Sequence, residues 1–410
     1  MSYEKLVNSN YLYRPVFLNS WDEKDLYDLA IWRNGLAFKK TCFSEKGKPI
    51  IKIAELKNGL TEQTKYTNDF FDESVHLTKK DMVFSWSGNP ETSIDVFWYD
   101  LPDGWLNQHI FKIMVKDGTD RNFFYYLLKY LKPNFTAIAS NKQTTGLGHV
   151  TINDLKNIIV RQPDLNEQRT IASTLSCLDD MIELNNSTNQ VLEEMAQAIF
   201  KHWFVDFEFP NEDGQPYKSS GGAIVDSELG EIPEGWRVKK LGEIVSVTSG
   251  KRPNIKMGSK TDEFWVPLVG ASSIMGYVND YIYDEQILVI GRVGTHGIIQ
   301  RFSGPSWPSD NTLVFKSKYY EFTYQILKNI DYKVFNRGST QPLITQTDMK
   351  NFVIILPPTD VIAVFENIIG SLFVLLHNNK IENDKLGYLR DTLLPNLISG
   401  EIRVPVEEVV

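Results

Sequence analysis

The chain repeats itself, and a repeat constrains a fold before any single motif does. The segment TINDLKNIIVRQP, Thr151 to Pro163, lies over TQTDMKNFVIILP, Thr345 to Pro357. Asp154, Lys156, Asn157 and Pro163 then fall on Asp348, Lys350, Asn351 and Pro357. The same offset continues without a gap, laying Leu178 on Leu372, Asn185 on Asn379, Asn189 on Asn383 and Leu192 on Leu386. A chance match does not keep its register so long.

After each repeat comes a long helical pattern. Ile171, Leu175, Leu178, Ile182, Asn185, Asn189 and Leu192 alternate by fours and threes, as do Ile369, Leu372, Leu376, Asn379, Asn383 and Leu386. That is the spacing of a coiled-coil seam. Each seam carries an Asn pair at its middle. Antiparallel packing sets Asn185 and Asn189 opposite Asn383 and Asn379, so that amide meets amide, whereas a slipped register leaves amides facing leucine. Upstream of each helix lie stretches rich in β-branched and aromatic residues and in Gly/Pro turn signals, such as MVFSWSGNPETSIDVFWY and QILVIGRVGTHGIIQRF. A short helical stretch follows them, Arg121 to Leu131 and Glu321 to Ile330. The expected class is α+β: two sheet-rich domains joined by two long antiparallel helices, with an internal pseudo-two-fold repeat. Between the halves, the Gly-, Ser-, Pro- and acid-rich Asn211 to Trp236 reads as an exposed linker.

At 410 residues with 42% hydrophobic and 23% charged residues, the chain can build several cores and is not disordered. Cys42 and Cys177 are its only cysteines, which excludes disulfide frameworks and Cys-rich zinc sites. The N-terminus has no apolar run after a basic patch. The longest apolar stretch, Val361 to Leu376, is interrupted by Glu366 and Asn367, so a cytoplasmic protein with no membrane span is expected. The net charge of −9 argues against nucleic acid, but the average hides a basic stretch. Arg237, Lys239, Lys240, Lys251, Arg252, Lys256 and Lys260 are opposed there only by Glu243.

Motifs for catalysis are missing. There is no phosphate-binding G-x-x-x-x-G-K-[ST] loop and no G-x-G-x-x-G between strand and helix. Asn89-Pro90-Glu91 reads as a turn, Glu55-Leu56-Lys57 as an ordinary strand end, and GRVGTHG as a tight loop. No catalytic residue and no metal ligand is assigned. Polar loops remain whose side chains suit base edges and phosphates. In the first half these supply Ser85, Trp86 and Ser87, then Asn141, Lys142, Gln143, Thr144 and Thr145. In the second they supply Lys251 and Arg252, then Arg292, Thr295 and His296, and last Arg337, Ser339, Thr340 and Gln341. Two such sets on duplicated domains, one beside a basic stretch, point to DNA. A coiled-coil scaffold without DNA binding, or a single-chain methyltransferase or nuclease with an unrecognised site, are the alternatives.

Four segments resemble the specificity subunit of type I restriction-modification enzymes. They are P-x-x-x-EQ-x-x-I-A-x-x-L-x-x-L-D at Pro163 to Asp179, LEEMAQAIFKHWFVDFE at Leu192 to Glu208, LGEIPEGW at Leu229 to Trp236, and RDTLLPNLISGEI at Arg390 to Ile402. The resemblance implies target-recognition domains at 1–162 and 236–356, spacer helices at 163–209 and 357–400, a linker at 210–235 and a tail at 401–410. It also implies a bipartite double-stranded DNA target, two modification subunits and two restriction subunits. S-adenosylmethionine, ATP and magnesium belong to those partners, and none to this chain. The helices act as a ruler; Glu167 to Phe200 measures roughly 50 Å at 1.5 Å per residue. Where the first copy has Glu167-Gln168-Arg169 the second has Val361-Ile362-Ala363, so a partner contact made by the first cluster has no counterpart in the second.

Overall fold

In a computed structural model, residues 17, 21–143, 146–293, 297–335 and 343–405 are described. The chain forms two compact units, Met1–Leu184 with Glu382–Val410, and Asn185–Ile381.

The first unit is organised by an antiparallel sheet in the order Ala30–Asn34, Ile110–Val115, Met82–Ser85, Asp95–Trp98. Its central strand Met82–Ser85 is buried on both faces, as its apolar run requires. Met82 and Phe84 point to one side, where Phe123, Phe124 and Leu127 of the helix Arg121–Tyr130 cover them. Val83 points to the other, against Ile51, Leu77, Trp105 and Leu106 of a second four-stranded sheet. In that sheet Lys48–Ile51 and Gly104–Leu106 run parallel. A two-stranded ladder, Asp22–Asp25 with Ile159–Gln162, closes the unit.

The second unit repeats this plan. Its sheet runs Ser246–Ser249, Thr312–Lys316, Ile287–Gly291, Ile299–Phe302. A second sheet again holds one parallel pair, Val266–Val269 with Pro305–Pro308, and the closing ladder is Arg237–Lys240 with Val353–Leu356. The duplicated motif is a capped turn of helix in both units. Thr151 accepts from the N–H of Asp154 and Asp154 from that of Thr151; Thr345 and Asp348 do the same.

Two helices of 40 residues, Leu165–Phe204 and Thr359–Ile398, pass from one unit into the other. Within the first unit Ile171 and Leu175 pack in one cluster with Leu393, Leu397 and Ile398. Arg390 binds Asp179 at 2.6 Å, and Tyr126 donates to the same carboxylate at 2.7 Å. Within the second unit Asn379 Nδ2 donates to Asn189 Oδ1 at 2.9 Å, and Phe200 and Phe204 meet Phe365. In each unit the early part of one helix therefore packs on the late part of the other, which makes them antiparallel. Of the expected seam, Ile171, Leu175, Asn185, Asn189, Leu192, Ile369, Leu376 and Asn379 are buried, and Leu178, Ile182, Leu372, Asn383 and Leu386 half-buried. Thr359–Ile398 is long and apolar enough to cross a membrane by length and composition. Its Phe365, Ile369, Phe373 and Leu376 are core residues of the second unit.

Three local readings change. The stretch read as a linker is largely exposed but folded. It forms the hairpin Ile224–Ser227 with Gly230–Pro233, buries Ile232 and leads into buried Trp236, on which Phe209 packs at 4.9 Å. Its few apolar residues were hidden by turn composition. Glu55 lies on a short helix, Ile53–Asn58, not at a strand end; its carboxylate accepts from the Lys52 N–H and the Thr64 hydroxyl. Glu167 and Gln168 face inward. Glu167 is 1% exposed and bound by Arg403 at 2.5 and 2.8 Å, while Gln168 accepts from the N–H of Asp120. Arg169 alone of that cluster is exposed.

Candidate nucleic-acid interface

One end of the main sheet in the second unit gathers residues far apart in sequence. The strands Ser246–Ser249 and Ile287–Gly291 finish there, and Thr312–Lys316 begins there. Backbone hydrogen bonds knit the loops beyond them. Gly250 N–H donates to Thr312, Lys251 to Pro308, Arg292 to Asn311, and Ile344 to Arg292, all between 2.9 and 3.2 Å. Gly250 is required, since a Cβ there would sit 2.2 Å from the Ser309 carbonyl oxygen. Val293 also pairs with Leu343. Lys251, Arg252, Arg292 and Asn311 are thus neighbours on one rigid rim.

The first unit builds the same rim by the same bonds. Gly35 N–H donates to Ile110, Leu36 to Leu106, Trp86 to His109, and Val150 to Trp86. A Cβ on Gly35 would lie 2.2 Å from the Asn107 carbonyl oxygen. Position by position, Asn34 corresponds to Ser249, Leu36 to Lys251, His109 to Asn311 and Trp86 to Arg292. The frame is shared and the side chains are exchanged.

The anticipated residues divide accordingly. Ser85 is fully buried and its hydroxyl donates to the Ser93 carbonyl, so it does not face a ligand. Trp86 is half-buried; its Nε1 donates to Asn34 at 3.0 Å and its ring stacks on Phe111. Ser87 pairs with His149 in a short ladder beside it. Asn141, Lys142 and Gln143 end the helix Lys132–Asn141 in the open. Lys142 is bound to Asp154 at 2.5 Å. Burial pushes that carboxyl up, but the ammonium and Thr151 outweigh it and hold it below the usual range. Lys251 and Arg252 are exposed, with Asp310 3.7 Å from Arg252. Thr144, Thr145, Thr295, His296, Arg337, Ser339, Thr340 and Gln341 lie outside the described residues.

Within the basic stretch, Lys239 is taken by Glu243 at 2.6 Å and Lys240 by Asn351 at 3.0 Å. Arg237, Lys251, Lys256 and Lys260 are exposed and unpaired among the described residues, which is where positive potential remains. Sequence reading missed Asn34, Asn107 and exposed His109. Asn34 ends an ordinary strand and the others sit in a short turn; only the convergence of Asn34 and His109 on Trp86, and the close approach of the Asn107 carbonyl to Gly35, marks them. Asn89-Pro90 proves to be a helix start, with the Asn89 side chain accepting from the N–H groups of Glu91 and Thr92. No cluster of three or more metal-ligating side chains occurs among the described residues.

A family model described as the type I restriction modification DNA specificity domain matches this chain twice, at residues 19–194 and 233–386. The type I restriction enzyme MjaIX specificity subunit of Methanocaldococcus jannaschii is 30% identical over 332 residues, 73% of either chain. The HindI specificity subunit of Haemophilus influenzae is 25% identical over 341 residues, 65% of this chain and 74% of that protein. Among solved structures, the S subunit of a type I restriction-modification system from M. genitalium shares the fold. Its TM-score is 0.55 and its identity 19%, over 94% of this chain and 99% of its own. Two copies of one frame and two matches to one family model agree: the chain belongs to the type I restriction-modification specificity subunits.

Proposed function

We propose that this chain reads a bipartite double-stranded DNA target, each unit contacting one half-site through its sheet-end rim, and holds the catalytic subunits in register over it. The observation that carries the reading is the repeated backbone frame with exchanged side chains. Equal scaffolds with unequal rims suit two half-sites of different sequence. Free Lys251, Lys256 and Lys260 suit phosphates, which hold any sequence alike, and Arg, Asn and Ser on the rims suit base edges. S-adenosylmethionine belongs with two modification subunits, and ATP with magnesium belongs with two restriction subunits. Apolar stripes left open on the long helices, Val191 with Met195 and Val364 with Ile368 and Leu375, suit the docking of such partners.

The test is methylation mapping with the modification subunits and S-adenosylmethionine present. Grafting the second unit's rim residues from a relative with a different target should change one half-site and leave the other intact. A change in both would refute one unit per half-site. The purified chain alone should neither methylate nor cleave DNA.

A further inference from the structure

We infer that Arg292 reads a guanine in the second half-site, through two hydrogen bonds from its guanidinium to O6 and N7 in the major groove. This deepens the proposed function and rests on it. Arg292 is the first residue beyond the strand Ile287–Gly291. Its backbone is clamped on both sides: its N–H donates to Asn311 at 3.0 Å and its carbonyl accepts from Ile344 at 2.9 Å. The next residue, Val293, is paired with Leu343. Both backbone groups of Arg292 are therefore fixed, and geometric reading of a base edge needs a fixed origin.

The side chain is not spent inside the protein. Arg301 of the same unit is held by Glu321 at 2.6 and 2.7 Å, and Arg252 stands 3.7 Å from Asp310. Arg292 has no carboxylate partner among the described residues, and its Nε is enclosed without an acceptor. A buried unsatisfied donor calls for an explanation. Here it leaves the end-on pair Nη1 and Nη2 as the fork for a ligand. An arginine fork matches guanine O6 and N7 and no other base edge as well. Nearby Lys251 is free to take the phosphate, so Arg292 is not needed for it.

The corresponding position of the first unit argues the same way by contrast. Trp86 has already given its single donor to Asn34 and lies flat on Phe111. No equivalent guanine contact is expected in the first half-site.

The test uses the complex of this chain with its modification subunits and a duplex library randomised in the second half-site. Wild type should select guanine at one position, and R292A should lose that preference roughly 5- to 150-fold while keeping every other position and the whole first half-site. Replacing that guanine by 7-deazaguanine removes N7 and should weaken wild type but not R292A. R292K keeps the charge without the fork and should resemble R292A. The inference is overturned if R292A weakens all duplexes equally, if R292K restores full preference, or if no guanine position responds. A wild-type complex without a bipartite preference would instead refute the function on which it rests.

Discussion

At the residue scale, charged groups divide into those that hold a unit together internally and those left for a partner. Arg301 is the centre of the first kind: its guanidinium lies 3.7 Å from the Phe373 ring centre, against Tyr320 and Tyr324, and is doubly bonded to buried Glu321. Arg301→Ala strands that carboxylate, and a loss of about 3–5 kcal/mol is expected in urea denaturation. Arg301→Met with Glu321→Leu should recover most of it. Asp95 gives a pH signature. Burial pushes it up, but Lys129 and Lys132, at 2.9 and 2.5 Å, outweigh that and hold it below its usual 3.8. A depressed carboxylate stabilises fully above its unfolded value and stops doing so as pH falls through the lower folded one. The first unit should therefore lose stability below about pH 3.8, and Asp95→Asn should flatten that acid limb in a melting series. For the second kind, Lys256→Ala or Lys260→Ala should weaken all DNA sequences alike and reduce the salt slope of binding by about 0.9 for each phosphate the lysine neutralises. An unchanged slope would remove that lysine from the interface.

At the scale of elements, the same task is done by different residues in the two repeats. In the first unit Gln168, on the long helix, accepts the N–H of Asp120 at the start of Arg121–Tyr130. In the second the corresponding Ile362 is buried and apolar, and Glu366 one turn later accepts from Glu321 and Phe322 at the start of Tyr320–Asn329. For Gln168 the difference in the second helix is thus a change of capping residue, which alignment alone reads as a missing interaction; in place of Glu167, which pairs with Arg403, stands the apolar Val361 packed on the core. The Asn189–Asn379 bond makes a sharper prediction. Asn189→Leu leaves a buried amide unpaired and should cost ~1–3 kcal/mol. Asn189→Leu with Asn379→Leu should be neutral or stabilising while loosening the register. A double-mutant cycle with no coupling would show that the bond does not hold the helices together. The seam was legible because heptad spacing survives in sequence. The rim was only half legible, since Asn34, Asn107 and His109 carry no local pattern and Ser85 looked exposed until the strand beside it was seen.

At the scale of the molecule, the repeat predicts what half of it does. The fragment Met1 to Pro210 retains the first recognition region and one long helix but loses the segment that packs on it. Two copies should pair antiparallel through that helix. Light scattering should find a dimer, and with modification subunits its target should be palindromic; a monomer at micromolar concentration would contradict the pairing. If the two helices set the spacing of the half-sites, a heptad inserted at equivalent points in both adds about 10 Å of helix and keeps the seam in phase. Methylation mapping should then show a spacer longer by ~1–3 base pairs with both half-sites unchanged.

Duplication, the presence of two long helices and the fold class were legible in local information: a repeated capping motif and apolar spacing. These are properties of neighbours in the chain, and physics reads them one window at a time. Which polar residues face outward together was decided only by tertiary structure. Trp86 and Arg292 occupy the same place because two backbone hydrogen bonds clamp each to distant segments, to His109 and Val150 for Trp86 and to Asn311 and Ile344 for Arg292, and no window of sequence contains them together.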